Sequence, residues 1–240
     1  MRLDKLLNEC GLATRSEASK LIRKGGVTVN GVPAKSGGDP VDPEKDAVVF
    51  CGRPVEYRKF TYILMNKPEG TVSSTDGKDG DTVISLLPPE LRKIGLFPCG
   101  RLDKDTVGCL LLTNDGSLSH FLLSPKRHVD KKYFVRCEKY VSDSDLALLS
   151  GGLDIGNGEK TAKTDVMRIS EKEFEITLRE GMYHQIKRMV ERTGNSVVFL
   201  ERTSFAFLTS EPTLGRGEWR YLTPEEEERL KRYDKNTNGR

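Results

Sequence analysis

The chain has 240 residues, of which 36% are hydrophobic and 31% charged, and its net charge is +3. This balance is typical of a soluble, cytoplasmic protein long enough to bury a core, and no apolar run approaches the roughly 18 residues that a membrane span needs. The five cysteines include no C-x-x-C pair and the three histidines lie far apart, which argues against a disulfide framework and against a metal site.

Positive charge is concentrated in two stretches of the chain. Residues 1–35 hold seven Lys or Arg against three acidic residues, and residues 126–139 hold six against two. Basic patches on a nearly neutral protein favour contact with RNA. Solvated surface charge is nevertheless the usual explanation of any single patch, so the charge pattern alone does not decide between the two.

Two short helices are predicted at the start of the chain. Apolar residues between Leu3 and Cys10 follow the i, i+3, i+4, i+7 spacing of an amphipathic helix. Thr14 and Glu17 have the spacing of a capping box, in which each side chain bonds the backbone amide of the other residue, and this predicts the start of a second helix. The glycine pair 25–26 ends it.

The rest of the chain reads as short strands interrupted by a few helices. Asn30-Gly31 predicts a hairpin turn within residues 27–32, residues 52–60 have the composition of a linker, and the apolar stretch 62–65 opens a second domain. Runs of strands with helices set apart predict an α+β fold with a largely antiparallel sheet. Further strands are predicted at 46–50, 109–113, 133–137, 174–178, 197–200 and 205–209, and helices at 118–123, 142–150, 182–192 and 224–233. The expected domains are 1–58 and 59–233, followed by a disordered tail at 234–240.

Residues 100–116 are the most informative stretch. A glycine-flanked loop carries Arg101, Asp103 and Asp105 and leads directly into an apolar strand. On composition alone this pattern fits an ordinary polar connection as well as it fits an active-site loop, because the two look alike in sequence.

A calcium-binding loop is the obvious alternative for this stretch, since Asp103, Asp105 and Gly108 fall at loop positions one, three and six. The rest of the pattern does not fit. Val107 occupies a ligand position, and Asn114 stands where such loops carry a bidentate glutamate. The sequence therefore argues against a metal at this loop.

Gly-Arg-Leu-Asp-x-x-Thr-x-Gly at residues 100–108, with the following apolar strand and Thr-Asn-Asp-Gly turn, resembles the catalytic loop of the pseudouridine synthases. The match is closest to the RsuA-like group, which acts on ribosomal RNA. Residues 65–76, 132–135 and 180–189 resemble further motifs of this family, and the Tyr-His-Gln-x-Lys form of the last one favours the small-subunit branch. The first residues resemble the uS4-like RNA-binding module of these enzymes, so the resemblance covers roughly residues 1–230.

The resemblance implies a uS4-like domain followed by a catalytic domain with a mostly antiparallel sheet and flanking helices. It also implies an enzyme that converts a uridine in structured ribosomal RNA to pseudouridine. That reaction breaks the carbon–nitrogen glycosidic bond, turns the uracil and rejoins it through a ring carbon. Because the uracil never leaves, neither a cofactor nor a metal is required, and one carboxylate can act as nucleophile or base.

Three residues match catalytic positions of the family. Asp103 matches the catalytic aspartate, Lys187 the basic residue beside it, and Tyr133 the tyrosine that stacks on uracil or moves the proton from carbon 5. Many relatives carry Arg where Lys187 stands, and lysine gives a point charge instead of a planar fork. A solvent-facing lysine and a core tyrosine are the alternative explanations of Lys187 and Tyr133.

The remaining candidates concern contacts with RNA. In the family, Arg101 fills the space of an extruded nucleotide or holds its phosphate, a role that suits a fork-shaped cation. His184 is a candidate for a phosphate contact, while Asp105 is interpreted as structural, as is Asp115. Other candidates for contacts with the RNA backbone, which position RNA without reading its sequence, are Arg15, Arg23, Lys24, Lys126, Arg127, Lys131 and Arg188. The sequence departs from the family at 205–207, where relatives usually carry glycine.

Three alternatives remain open. The first is a synthase acting on large-subunit ribosomal RNA. The second is a non-catalytic assembly protein that binds ribosomal RNA, against which Asp103, Tyr133 and Lys187 argue together. The third is a carbohydrate hydrolase, which needs two facing carboxylates, whereas Asp103 and Asp105 are expected to point apart. The expected partner is ribosomal RNA or an assembling ribosomal particle, with no membrane. We expect a monomer, although no sequence feature determines the oligomeric state.

Overall fold

The computed structural model describes residues 1–124, 127, 129–210, 212 and 214–235. The chain divides into two compact units: the first contains Met1–Thr61 and Ile84–Leu96, and the second contains Tyr62–Val83 and the chain from Phe97 onward.

The helices are α1 (Leu3–Glu9), α2 (Arg15–Arg23), α3 (Pro89–Arg92), α4 (Gly116–Leu123), α5 (Asp143–Gly151), α6 (Gln185–Glu191) and α7 (Pro224–Lys235). The strands are β1 (Val27–Val29), β2 (Val32–Pro33), β3 (Val48–Phe50), β4 (Arg53–Pro54), β5 (Tyr62–Lys67), β6 (Phe97–Pro98), β7 (Val107–Thr113), β8 (Lys131–Cys137), β9 (Asp165–Arg168), β10 (Glu173–Leu178), β11 (Val197–Phe205), β12 (Leu208–Thr209) and β13 (Trp219–Tyr221).

The first unit combines α1 and α2 with an antiparallel sheet in the order β2-β1-β3-β4. Its core joins apolar residues of both helices to Val27 and Val48. The predicted capping box is confirmed: the Thr14 hydroxyl accepts a hydrogen bond from the Glu17 amide at 3.3 Å, and the Glu17 carboxylate accepts one from the Thr14 amide at 2.8 Å. These bonds satisfy amides that a helix start otherwise leaves unpaired.

A second hairpin occupies part of the segment interpreted as a linker. Strand β4 pairs with β3, with Arg53 opposite Phe50. The turn residues Cys51 and Gly52 have φ values of 48° and 80°, the left-handed conformation that two-residue hairpin turns require. The linker interpretation of residues 52–60 is therefore wrong at this end. A cysteine in that conformation is uncommon, so composition gave no sign of the turn.

The sheet of the second unit has the order β13-β5-β7-β11-β8-β10-β9, with β6 and β12 added on β7 and β11. Strands β7 and β11 are parallel, and the other described pairs are antiparallel. Every residue of β5 and β7 is buried, as expected of strands covered on both faces. The predicted α+β fold with a largely antiparallel sheet is confirmed.

Asp115 joins the start of α4 to this sheet. Its carboxylate accepts a hydrogen bond from the Leu118 amide at 3.0 Å and another from the Tyr62 hydroxyl at 2.8 Å. An aspartate at the N-cap satisfies a free amide and favours the positive end of the helix. Asp115 therefore has the structural role that the sequence predicts.

The two strands predicted at 197–200 and 205–209 have different bounds in the structure. A long strand β11 is followed by a tight turn and the short strand β12. Strand β11 continues to Phe205 and folds back onto β12, with Phe205 opposite Leu208. Ala206 in the turn has φ of 54°, a conformation that glycine adopts without steric cost. Ala206 lies within residues 205–207, the stretch where relatives are expected to carry glycine.

Two further observations complete the description. Helix α7 extends to Lys235, and residues 236–240 of the predicted tail lie outside the described residues. Within the described part of the chain, no helix is both long enough and apolar enough to cross a membrane.

Candidate active site

The second unit contains a cavity of about 870 Å³. Its wall is formed by the loop at 100–106, by side chains of β8 and β11, and by the turn that leads into α6. Six of the residues selected from the sequence line it: Arg101, Asp103, Lys131, Tyr133, His184 and Lys187. The cavity therefore gathers residues that are up to 86 positions apart in the chain.

Two buried side chains fix the loop at 101–106 through hydrogen bonds to its backbone. The Ser73 hydroxyl donates a hydrogen bond to the Leu102 carbonyl at 2.9 Å and accepts one from the Leu102 amide at 3.0 Å. Lys67, which is fully buried, donates to the carbonyl oxygens of Thr106 at 2.8 Å and Lys104 at 3.3 Å. Burial lowers the pKa of Lys67 to about 8, because a low-dielectric environment disfavours the charged form.

Lys187 lies between two carboxylates of this loop. Its ammonium is 3.3 Å from Asp103 Oδ2 and 2.6 Å from Asp105 Oδ1. Burial lowers the pKa of Lys187, but hydrogen bonding to Asp105 and the charges of both carboxylates outweigh it and raise the pKa. Burial likewise raises the pKa of Asp105, but the hydrogen bond and the charge of Lys187, together with smaller contributions, outweigh it and lower the pKa.

This geometry corrects one expectation about Asp105. The sequence predicts that Asp105 points away from Asp103, but both carboxylates contact the same ammonium. Asp105 is also the nearer of the two to Lys187, and its side chain is 60% exposed against 31% for Asp103. Residues two positions apart point to the same side even in an extended segment, and the loop likewise directs both carboxylates toward Lys187.

His184 also lies beside Asp103, with 3.6 Å between Nε2 and Oδ1. Its ring stacks on that of Tyr183, with 3.9 Å between the centroids. Its backbone has φ of 47° and ψ of 36°, a left-handed conformation that costs about 1–3 kcal/mol outside glycine. This conformation ends the turn, so α6 begins at Gln185 and not at Met182 as predicted.

We call Asp103, His184 and Lys187, with Asp105 as the second partner of Lys187, the outer cluster, and Lys131, Tyr133 and Arg202 the inner cluster. The inner residues are nearly inaccessible, with exposed fractions of 9% for Lys131 and Tyr133 and 1% for Arg202. Tyr133 and Arg202 lie opposite each other on neighbouring strands. Lys131 lines the cavity and donates a hydrogen bond to the Val129 carbonyl at 3.2 Å.

The other described basic residues that were selected from the sequence do not line the cavity. Arg188 is bonded within the protein: its guanidinium contacts Glu159 at 2.6 Å and the carbonyl oxygens of Gly156, Ile155 and Tyr183. These bonds occupy its donors and give no support to the RNA contact expected of it. The guanidinium of Arg127 lies 4.6 Å from the Phe121 ring centroid. Arg15, Arg23 and Lys24 are exposed residues of the first unit, and Lys126 lies outside the described residues.

Sequence reasoning gave no role to Arg202, Lys67 or Ser73. Lys67 and Ser73 fall within the stretch at 65–76 that resembles the family's opening strand and loop, but no local pattern marks their bonds to a distant loop. One signal for Arg202 was present, since period-two alternation places it on the same face of β11 as buried Leu200. An arginine at a core position is a departure from that pattern and points to a special role.

Among the described residues, no group of three or more His, Cys, Asp or Glu is arranged to hold a metal ion. Together, the outer and inner clusters contain two carboxylates, three cations, an imidazole and a phenol. Such a set can provide a nucleophile or base, a compensating charge and hydrogen-bond donors.

Comparisons with known proteins identify the family of this chain. A family model described as RNA pseudouridylate synthase matches residues 61–192, and an S4 domain model matches residues 1–48. A Bacillus subtilis protein named as an uncharacterized RNA pseudouridine synthase is 45% identical over 230 residues, which are 94% of this chain and 96% of that protein. The ribosomal small subunit pseudouridine synthase A of Vibrio cholerae is 39% identical over 94% of this chain and 97% of its own, and that of Escherichia coli is 38% identical over 94% and 98%.

A solved structure described as a pseudouridylate synthase has a TM-score of 0.68 and 36% sequence identity, and the match covers 96% of this chain and 99% of the other. The likeness therefore extends over both matched domains. The chain belongs to the RNA pseudouridylate synthases, of the RsuA-like type in which an S4 domain precedes the synthase domain.

Proposed function

We propose that this protein converts one uridine of small-subunit ribosomal RNA to pseudouridine, with Asp103 as the carboxylate that acts on the nucleotide. The observation that carries the proposal is the position of Asp103, whose carboxylate lines the same cavity as Tyr133 and lies 3.3 Å from the Lys187 ammonium. The choice of small-subunit RNA is supported by relatives that carry this activity in their names and match 94% of the chain.

The reaction is an isomerisation, so the atoms of substrate and product are the same. The bond between C1′ of the ribose and N1 of uracil breaks, and its electron pair stays on the uracil. Asp103 either attacks the sugar, attacks the base or removes a sugar proton. The uracil then turns, C5 bonds to C1′, and the proton on C5 is lost while N1 gains one.

Each neighbour of Asp103 has a place in this scheme. The Lys187 ammonium balances the charge of the carboxylate and limits its movement, since ion pairs with hydrogen bonds have defined geometry. The Tyr133 ring offers an apolar face for the uracil, and its hydroxyl suits transfer of the C5 proton. Exposed Arg101, at the wall of the cavity, is placed to hold the extruded nucleotide, because leaving the base stack costs a few kcal/mol.

The first unit provides the RNA contacts away from the reacting base in this proposal. Arg15, Arg23 and Lys24 are exposed on or next to α2, and such side chains bind phosphates without reading sequence. We retain the division at residues 58 and 59 as a prediction of where the two functional domains meet.

The test is carbodiimide mapping of pseudouridine in ribosomal RNA from cells that lack this gene and are complemented with wild-type protein or Asp103→Asn. We expect one small-subunit site to lose its mark and only the wild type to restore it. Loss of a large-subunit mark would retain the activity and overturn the proposed substrate. If no site changes while the purified protein still binds ribosomal RNA, the catalytic proposal fails.

A further inference from the structure

Arg202 is a buried cation whose donors the protein does not fully use. The residue is 1% exposed, and its Nε donates a hydrogen bond to the Cys109 carbonyl at 2.8 Å. Its Nη2 is buried without a hydrogen-bond partner among the described residues, and no described carboxylate lies within 4 Å of the guanidinium. The remaining stabilising contact is the Phe205 ring, whose centroid is 5.2 Å away.

The surroundings of Arg202 make this arrangement more unfavourable. Lys131 and Lys67 are also buried. Burial lowers the pKa of both lysines, and the charge of Arg202 lowers it further. Buried charges in folded proteins are normally paired, since an isolated one loses its hydration without compensation. Unsatisfied buried donors are rare enough that each one calls for an explanation.

The position of Arg202 supplies that explanation. The residue lines the same cavity as Asp103 and Tyr133 and lies opposite Tyr133 on the neighbouring strand. A Cβ added at Gly100, where the catalytic loop begins, would be 4.0 Å from its Nη1. The guanidinium is therefore at the inner wall of the space that the proposed function assigns to the reacting base.

We propose that the Nη groups of Arg202 donate a hydrogen bond to a carbonyl oxygen of that uracil. This rests on the proposed function. When the glycosidic bond breaks, the electron pair left on N1 is delocalised onto the two carbonyl oxygens of the ring. A fixed donor in a site without water stabilises charge that develops during the reaction more than charge already present in the ground state. Arg202 is thus a catalytic residue for the leaving uracil, as Asp103 is for the sugar or the base.

The first measurement compares Arg202→Met and Arg202→Lys with wild type on a small-subunit ribosomal RNA transcript under single-turnover conditions. Arg202→Met should lower the rate constant at saturating protein about 100-fold, the usual effect of removing one such donor. Its RNA affinity should change little, and its unfolding midpoint in urea should stay the same or rise because an unpaired buried charge is gone. Arg202→Lys retains the charge without the planar guanidinium, so its rate constant should lie between those of wild type and Arg202→Met.

Arg220→Met is the matched control, since this arginine is also in the second unit but pairs with Glu226 outside the cavity, at 2.6 Å. We expect it to lower the unfolding midpoint and leave the rate constant unchanged. The reverse result for Arg202→Met, a lower midpoint with an unchanged rate constant, would assign Arg202 a structural role and overturn the proposal. Weaker RNA binding with a smaller salt dependence and an unchanged rate constant would indicate a phosphate contact and overturn it as well.

The second measurement identifies the oxygen and does not depend on how the variants fold. The target uridine is replaced with 2-thiouridine or 4-thiouridine, because sulfur is the weaker hydrogen-bond acceptor. One of the two thiouridine substrates should react more slowly than uridine with the wild-type enzyme. With Arg202→Met, the same substrate should react as fast as uridine does. If neither slows the wild type, or if both effects are additive with Arg202→Met, the contact does not exist. Failure of the proposed function is distinguishable, since wild-type protein would then form no pseudouridine from unmodified transcript.

Discussion

The outer and inner clusters differ in whether their charged groups are paired with groups of opposite charge. In the outer cluster every charged group has a partner: Lys187 contacts Asp103 at 3.3 Å and Asp105 at 2.6 Å. In the inner cluster Arg202 and Lys131 have no carboxylate within 4 Å among the described residues. The outer groups are partly exposed, whereas the inner ones are almost completely buried.

This difference runs against what stability alone favours. A partly exposed ion pair contributes little to stability, while an unpaired buried cation is costly. The protein thus pairs its charges where pairing matters least for folding. We attribute this to function: the outer cluster fixes a carboxylate before substrate binds, and the inner cluster retains positive charge for the substrate to neutralise. Proteins commonly accept such local instability at active sites.

Apart from replacement of Asp103 itself, the largest effect we expect in the outer cluster follows from Lys187→Met, which leaves two neighbouring carboxylates without their shared cation. Their repulsion would displace Asp103, and a displacement of about 1 Å costs roughly 100-fold in rate. Single-turnover rates should therefore fall about 100-fold, and Lys187→Arg should recover most of the loss. Arg136→Met, which breaks an ion pair with Glu173 between β8 and β10, serves as control. Wild-type rates in Lys187→Met would contradict the account.

A second prediction concerns Lys67 and pH. Its folded-state pKa of about 8 lies below its ordinary value of 10.5, so between these pH values the unfolded chain binds more protons than the folded one. Stability should therefore rise with pH across this window, by about 3 kcal/mol at most. Urea unfolding from pH 7.5 to 10.5 should show a flatter rise for Lys67→Met than for wild type. Lys78→Met, at an exposed position of the same unit, should retain the wild-type slope; equal slopes for Lys67→Met and wild type would refute the assignment.

A smaller effect separates backbone strain from site chemistry. Ala206 and His184 both have left-handed backbones, with φ of 54° and 47°. Replacing either with glycine should raise the free energy of unfolding by about 1 kcal/mol, because glycine adopts this conformation without steric cost. Only His184→Gly should also lower activity, since it removes the ring beside Asp103. Equal activity of the two variants would show that His184 has no role in the site.

The smallest effects are expected in the first unit. Replacing Arg15, Arg23 or Lys24 with Gln should weaken RNA binding similarly for all RNA sequences and reduce the dependence of log Kd on log salt by about 1 per lost phosphate contact. Lys45→Gln is the control, because Lys45 is exposed in the same unit but pairs with Asp42 at 3.4 Å. Unchanged salt dependence in all three variants would remove this surface from the RNA interface.

The sequence predicted what local patterns encode. The capping box at Thr14, the apolar strands and the antiparallel sheet follow from spacing and composition, and the loop at 100–108 is recognisable as a motif. The site residues Asp103, Tyr133 and Lys187 were selected from separate motifs, and the structure brings them to one cavity.

What the sequence did not predict depends on contacts between distant segments. The convergence of Asp105 and Asp103 on one ammonium is set by a turn held by buried Lys67 and Ser73. The late start of α6 follows from the left-handed backbone of His184, which no residue preference indicates. The unpaired state of Arg202 becomes visible only when three strands are assembled around it.

The measurement that tests the central claim most directly compares Asp103→Asn with Asp105→Asn in single-turnover assays on small-subunit ribosomal RNA. Both substitutions remove one of the two charges that Lys187 balances, so they separate the acting carboxylate from the one that positions the lysine. We expect Asp103→Asn to lose roughly 10⁴-fold in rate, as catalytic carboxylates do, and Asp105→Asn to lose less than about 10-fold. An equal loss in both, or a larger loss in Asp105→Asn, would contradict the assignment of Asp103.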